Sequence, residues 1–280
     1  MNKEELTKLW ESKFDHIYLQ HYPEFKERWD DIISELKRVG IYDAKNFSVY
    51  YSIPNPYEDE LYEKLKNEDR LTPDIVSLNK FRGSWTFYKI LCEAWNLNYQ
   101  HTIVIHDDIR FLNDLNLLYD ILINLPDDHD LCMFDYLNGI SDSASNSNIN
   151  HYGGYENKYY LKWYGMIANT ISSMSRKFIQ HILINMHNKF SGSDIYTWEW
   201  TYYPYIHDDS IFQYKCLAAM PRIAIQCDYV DSLVNELFGN FIIEYSNKSN
   251  QYVWQPNSFL NHDVDFDLYN AYDNYIKYEE

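Results

Sequence analysis

The 280-residue chain reads as an α/β fold, a mostly parallel central sheet flanked by helices. Two observations predict it. Short apolar runs of strand length alternate with amphipathic helical stretches through the first half. One of those runs, Ile103-Val104-Ile105, is apolar on both faces, as a buried parallel strand requires. The composition agrees: 46% hydrophobic and 18% aromatic residues with only 8 Gly and 8 Pro supply material for one large core or two tightly joined subdomains rather than linkers.

After a short polar lead-in, Phe14 to Leu19 reads as a strand. Phe25, Trp29, Ile32, Ile33 and Leu36 then follow helical spacing up to a stop at Gly40. Phe47 to Ile53 reads as a second strand closed by Pro54 and Pro56, and the charged stretch from Glu58 to Arg70 as a solvated helix or loop. From Gly83, the residues Phe87, Ile90, Leu91, Ala94 and Trp95 form one apolar helix face leading into the strand that ends at Ile105. A helix from Leu115 to Ile123 and a strand from Leu131 to Phe134 complete the alternation.

The stretch from about Leu137 to Tyr160, with SDSASNSNIN and Gly153-Gly154, is polar and rich in turn formers and reads as a long mobile loop. Gly165 to Ser173 reads as a strand, and Phe178, Ile179, Ile182, Leu183 and Met186 as an amphipathic helix, with a further apolar helical stretch from Ile211. The last 35 residues or so read as a tail wrapped on the body, with Trp254 and Phe259 as anchors. A single domain is expected, in halves of about 14–135 and 160–235 with the tail at 236–280.

Charge and cysteine usage narrow the function. A formal net charge of -18 speaks against nucleic acid, whose phosphates need a basic surface, and leaves at most peripheral contact with a membrane. Cys92, Cys132, Cys216 and Cys227 form no CxxC pair, so neither a zinc knuckle nor a redox dithiol is expected. The N-terminus is charged, without the apolar core of a signal peptide, and no run approaches the roughly 18 apolar residues of a membrane span. The expectation is a cytoplasmic protein of unknown oligomeric state.

Three clusters carry candidate chemistry. His106-Asp107-Asp108 directly follows the buried run, and ligands of open α/β sheets bind outside the carboxyl ends of strands. Two carboxylates there suit Mg²⁺ or Mn²⁺, whose other ligands would be the phosphates of a nucleotide sugar. The plainer alternative is that such acids cap the next helix. Asp127-Asp128 and Asp130, after Pro126, read as turn residues. His207-Asp208-Asp209 follows the aromatic segment 196–204. There Asp208 or Asp209 is a candidate general base for displacement by an acceptor hydroxyl, or a helix cap. His262 is a candidate third metal ligand, imidazole being acceptable to Mn²⁺. Most other histidines, His181 and His187 among them, read as ordinary surface or core residues.

The order of segments resembles glycosyltransferase family 25, which includes bacterial lipopolysaccharide galactosyltransferases and collagen-modifying enzymes. The likeness covers roughly residues 14 to 235. Ile17-Tyr18-Leu19 with Arg28 downstream is similar to the family's opening strand and helix. Ile103 to Ile109 resembles its apolar strand ending in Glu-Asp-Asp, with His106 in place of the Glu. The segment 171–178 resembles its strand running into Ser-Arg and a helix, Asp208-Asp209 its later Asp, and Pro221 to Gln226 its Pro…Gln strand. The Ser-His pair common before the family's acidic strand is absent around Ser84 to Phe87.

The resemblance implies a GT-A-like fold and a metal-dependent, inverting transfer of a sugar, galactose by analogy, from a UDP-sugar to a glycan acceptor of a bacterial surface polysaccharide. On this reading Leu19, Gln20, Arg28 and Asp107 lie near the nucleotide, His106 and Asp108 at the metal, and Asp208 or Asp209 acts as base, while His262, beyond the stretch of the likeness, joins the metal on the residue reading alone. Two rival readings of the same residues are a two-metal phosphoester hydrolase and a catalytically inactive module that binds a glycan or a partner.

Overall fold

The computed structural model describes residues 2–71, 78–111, 113–134, 137–138, 155–156, 159–161, 166–167, 171–192, 214–219, 223–226, 243–246 and 251–254. The chain opens with a helix, α1 (Lys3–Lys13), where only a polar lead-in is expected. The signal for it is in the sequence. Asn2 and Glu5 form a reciprocal capping box, and Leu6, Leu9 and Trp10 share one buried face. Trp10 is fully buried and its Nε1 donates to the Val39 carbonyl at 2.9 Å.

Then come β1 (His16–His21), α2 (Lys26–Arg38) and β2 (Phe47–Tyr51), close to the expected spans. Gly40 ends α2 at φ +80, and a Cβ there would meet Thr7 Oγ1 at 2.7 Å and the Lys3 carbonyl at 2.9 Å. Glycine therefore serves both the left-handed cap and the contact with α1. The charged stretch forms α3 (Pro56–Asn67), capped by Asn55. Its charges are not all on the surface: Glu58 is buried and pairs with Lys89 at 2.7 Å. Lys89 lies on α4 (Leu78–Asn96), which is longer than the apolar face alone indicates.

Next are β3 (His101–His106), an unanticipated short β4 (Ile109–Phe111), α5 (Leu115–Ile123) and β5 (Leu131–Met133). Within the expected mobile loop the described residues are the two-residue strands β6 (Leu137–Asn138) and β7 (Tyr155–Glu156) and the first residues of β8 (Tyr159–Leu161); the remainder lies outside the described residues. The strand expected over 165–173 resolves into β9 (Met166–Ile167) and β10 (Ile171–Ser175), followed by α6 (Arg176–Gly192). Cys216 to Ala219, within the stretch expected to be helical from Ile211, is instead strand β11 (Cys216–Ala219). Burial on both sheet faces makes a short apolar run serve as a strand, and periodicity alone does not separate the two. β12 (Ala224–Gln226) matches the expected strand, and the tail contributes a hairpin, β13 (Ile243–Ser246) with β14 (Gln251–Trp254), which ends at Trp254. Phe259 lies outside the described residues.

The main sheet has eight strands in the order β2-β1-β3-β10-β5-β11-β8-β7. β1 is parallel to β2 and β3, β5 is parallel to β11, and β10 is antiparallel to both β3 and β5. Among the six strands from β2 to β11, only β10 is reversed, so the expected mostly parallel α/β sheet is what the structure has. Alternate side chains fill two cores. Ile17, Leu19, Ile103 and Ile105 face α1, α2 and α5, whereas Tyr18, Val104 and Met174 face α4 and α6.

The amino-terminal edge of β3 holds a polar knot that the sequence reading missed. Asp127 and Asp128 are exposed turn residues paired with Lys13 and Lys215. Asp130, expected to be a third turn residue, is buried. It accepts from Ser175 Oγ at 2.9 Å and the Lys215 backbone N–H at 2.9 Å, pinning β10 and β11 to β5. Next to it, His129 is buried with Nδ1 2.6 Å from the Pro126 carbonyl and Nε2 2.8 Å from Ser173 Oγ. The Pro126 carbonyl requires the proton on Nδ1, and in the neutral ring Nε2 then accepts from Ser173. Burial, reinforced by the stacked His101 ring 4.6 Å away, lowers its pKa from 6.5 to about 4.

A histidine held neutral on folding binds fewer protons than in the unfolded chain, so its contribution is intact above about pH 6.5 and is lost as pH falls toward 4. In chemical denaturation, the wild type should lose about 3 kcal/mol more stability than His129→Gln between about pH 7 and pH 4. Equal losses in the two proteins would remove His129 as a source of acid sensitivity.

Candidate functional site

In the strand order β2-β1-β3 the chain leaves β1 for β2 on one side, and β3 lies on the other. The carboxyl ends of β1 and β3 therefore border the crevice at which open α/β sheets bind ligands. The register sets Gln20 beside His106. Around this crevice stand the end of β1, the first turn of α2, the acidic bend after β3 and the start of α4.

Asp107 is its centre. The residue is 1% exposed, and its carboxylate takes three donors: His21 Nδ1 at 2.7 Å, the Tyr22 backbone N–H at 3.1 Å and Arg28 Nη1 at 3.2 Å. Arg28, on the first turn of α2, is itself 3% exposed and lies 3.7 Å from Asp108 Oδ2. Its guanidinium also sits over the Phe25 ring at 4.3 Å. One buried cation thus faces both acids.

The bend that carries the acids is fixed from below. Buried Glu35 on α2 accepts from the Phe111 backbone N–H at 3.0 Å and pairs with Arg38, which donates to the Phe111 carbonyl at 3.0 Å. Arg110 pairs with Asp31 at 2.8 Å. β4 is therefore clamped to α2, and Asp107-Asp108 is the short span between that clamp and β3.

On the α4 side, Gln20 is fully buried. Its Nε2 donates to Tyr22 Oη at 2.7 Å and to the Gly83 carbonyl at 3.2 Å, while its Oε1 has no hydrogen-bond partner among the described residues. Burial first, then the nearby Asp107 carboxylate, pushes the Tyr22 phenol far above its ordinary pKa, so it stays neutral. Gly83 is the residue that admits it: a Cβ there would stand 2.6 Å from Tyr22 Oη. On the α2 side, His21 packs against Trp29 at 4.7 Å, and half-buried Trp29 lies 6.1 Å from exposed Tyr51 at the end of β2.

Of the residues singled out from sequence, Gln20, Arg28, His106, Asp107 and Asp108 meet at this edge. Leu19 reaches it only through its backbone, because its side chain is buried in the core between β2 and β3. Asp208, Asp209 and His262 lie outside the described residues. The pleat sends His106 to the Val104 and Gln20 face, whereas Asp107 is held on the α2 face. Neighbours in sequence thus diverge in space, and among the described residues no three His, Cys, Asp or Glu side chains converge on a metal position. Sequence reasoning missed His21, Tyr22, Trp29, Tyr51 and Gly83. For His21, Tyr22 and Tyr51 the available signal was a position at or just beyond a strand end, whereas Trp29 and Gly83 lie within α2 and α4.

No protein-family model matches the chain, and no curated protein matches it, so the resemblance to glycosyltransferase family 25 gains no support from either comparison. Among solved structures, the chain is similar to one described as mannose-1-phosphate geranyltransferase from Thermus thermophilus. That similarity has a TM-score of 0.35 and 8% identity over 75% of each chain, and a superposition of that quality carries no argument about function. Among the described residues no helix is long and apolar enough to cross a membrane.

Two outcomes follow from the geometry. Asp107→Asn takes from buried Arg28 the carboxylate 3.2 Å away and should cost about 3 to 5 kcal/mol in urea denaturation; a loss below about 1 kcal/mol would show the pair to be incidental. Gly83→Ala should destabilise by about 1 to 3 kcal/mol despite its better helix propensity, with most of that cost absent in a Tyr22→Phe background.

Proposed function

We propose that the protein is a nucleotide-sugar-dependent transferase, and more finely a glycosyltransferase, with the donor seated in the crevice between the ends of β1 and β3. The observation that carries this reading is the buried Asp107-Arg28-Asp108 cluster, which sits where the strand order reverses and cost several kcal/mol of desolvation to place there. Ligands of open α/β sheets bind at this carboxyl edge, and the cluster stands there.

The neighbouring groups fit parts of such a donor. Gln20 offers a buried acceptor that no described residue uses, suited to an N–H or hydroxyl donor. Trp29 and Tyr51 offer flat faces to a planar ring. Asp208 or Asp209 remains the candidate base for an inverting displacement, on the sequence pattern alone. Galactose, UDP and a polysaccharide acceptor rest on the family resemblance and on nothing in the site.

The metal expectation fits this site poorly. Asp107 has its carboxylate taken by three internal donors, His106 turns to the other sheet face, and Asp108 faces a guanidinium. No step is therefore assigned to a metal here. The two-metal phosphoester hydrolase would also need the Asp208-Asp209 pair, which lies outside the described residues.

Binding to the folded state raises the melting temperature, so a thermal-shift series with UDP-, GDP- and CMP-sugars tests the reading. One nucleotide sugar should raise the midpoint by several degrees, and Trp29→Ala should reduce that shift. If no nucleotide or nucleotide sugar moves the midpoint, while a free glycan does, the protein is a binding module and the transferase reading is wrong.

A further inference from the structure

We infer that Arg28 is the cation of the acidic pair: it occupies by a covalently tethered guanidinium the electrostatic position that a divalent metal would fill beside Asp107 and Asp108. Only the consequence for turnover rests on the nucleotide-sugar reading. The placement itself rests on the geometry.

Three observations carry it. Arg28 Nη1 is 3.2 Å from Asp107 Oδ1 and 3.7 Å from Asp108 Oδ2, so one donor nitrogen faces both acids. The two residues in closest contact, Asp107 and Arg28, are 1% and 3% exposed, and a pair so buried gains from a full unit of opposite charge at short range. Arg28 is also held from outside the pair, through the Phe25 ring beneath it and its place in the first turn of α2. Guanidinium is always charged and weakly hydrated, which suits it to a permanent buried position that a strongly hydrated Mg²⁺ takes up reluctantly.

A divalent ion entering between the acids would have to displace the guanidinium from one or both, or sit close to it at the cost of like-charge repulsion. The acids are therefore closed to metal while Arg28 is present. Under the proposed activity, charge on a departing diphosphate is then met by groups other than a metal held on these two acids.

The direct test is Mn²⁺ uptake by the EDTA-treated full chain, followed through the electron paramagnetic resonance signal of free Mn²⁺. Wild type should leave that signal unchanged. Arg28→Met, of similar length without the charge, should remove about one equivalent per chain, and Arg28→Lys, which keeps the charge, should remove none. Uptake of one equivalent by wild type that is abolished in Asp108→Asn overturns the inference, as does a folded Arg28→Met that takes up no Mn²⁺. Should Arg28→Met fail to fold, the wild-type and Asp108→Asn titrations decide alone. A thermal shift with a nucleotide sugar that persists in EDTA supports the consequence for turnover, and one that needs Mn²⁺ and is lost in Asp108→Asn overturns it. Absence of any nucleotide-sugar shift bears on the transferase reading and leaves the Mn²⁺ titration to stand by itself.

Discussion

The carboxylate of Asp107 is the point on which the carboxyl edge of the sheet is assembled. It gathers His21 from the end of β1, the backbone of Tyr22 from the loop that follows and Arg28 from α2 onto the bend after β3. Three segments separated by up to 86 residues are thereby registered against one group. Burying a carboxylate and a guanidinium costs more than their attraction returns unless the remaining lone pairs are also satisfied. The two further donors to Asp107 meet that condition. The cluster thereby fixes the bend after β3 against the end of β1 and the first turn of α2.

The sheet gives the cluster its surroundings. Because β1, β2 and β3 run in parallel, their carboxyl ends bring Gln20, Tyr51 and His106 to one side, and α2 and α4 start there on opposite faces. The reversed β10 then changes what the other side must do. Its carboxyl end meets the amino ends of β3 and β5, and there Asp130 takes Ser175 and Lys215 while His129 stays neutral against Ser173. The two ends of one sheet carry opposite solutions for buried polarity. At one end charge is paired with charge, and at the other an ionisable ring is kept uncharged, which ties the stability of the strand ladder to pH.

Much of the first half was legible because its periodicities are clean. α5 runs from Leu115 to Ile123 as the pattern requires, and Gly40 stops α2 where a left-handed cap is needed. The helix α1 was legible too, through Asn2 and Glu5, but its three apolar residues are easily taken for a polar lead-in. The direction of β10 was not legible. Side-chain alternation is the same for a strand running either way, and only its neighbours decide. The acidic pair at the end of β3 was found by its position, yet its partners were not, since nothing within a few residues of Asp107 announces Arg28 or His21. Adjacency misled in the other direction: His106 and Asp107 read as one ligand set, and the pleat sends them to different faces.

Composition sets a further constraint on any site for an anion. A chain with a formal net charge of -18 repels an anionic ligand at long range, so any site for one must supply local positive charge that solvent screens little. A surface lysine does this poorly, since water competes for it and salt weakens it. Arg28, 3% exposed and set against the Phe25 ring, escapes both effects, but with Asp107 at 3.2 Å and Asp108 at 3.7 Å it is outweighed by the acids it faces. The acids that look from sequence like a trap for metal are, in this arrangement, the partners of a guanidinium, and positive charge for an anionic ligand has to come from other groups or from backbone N–H donors.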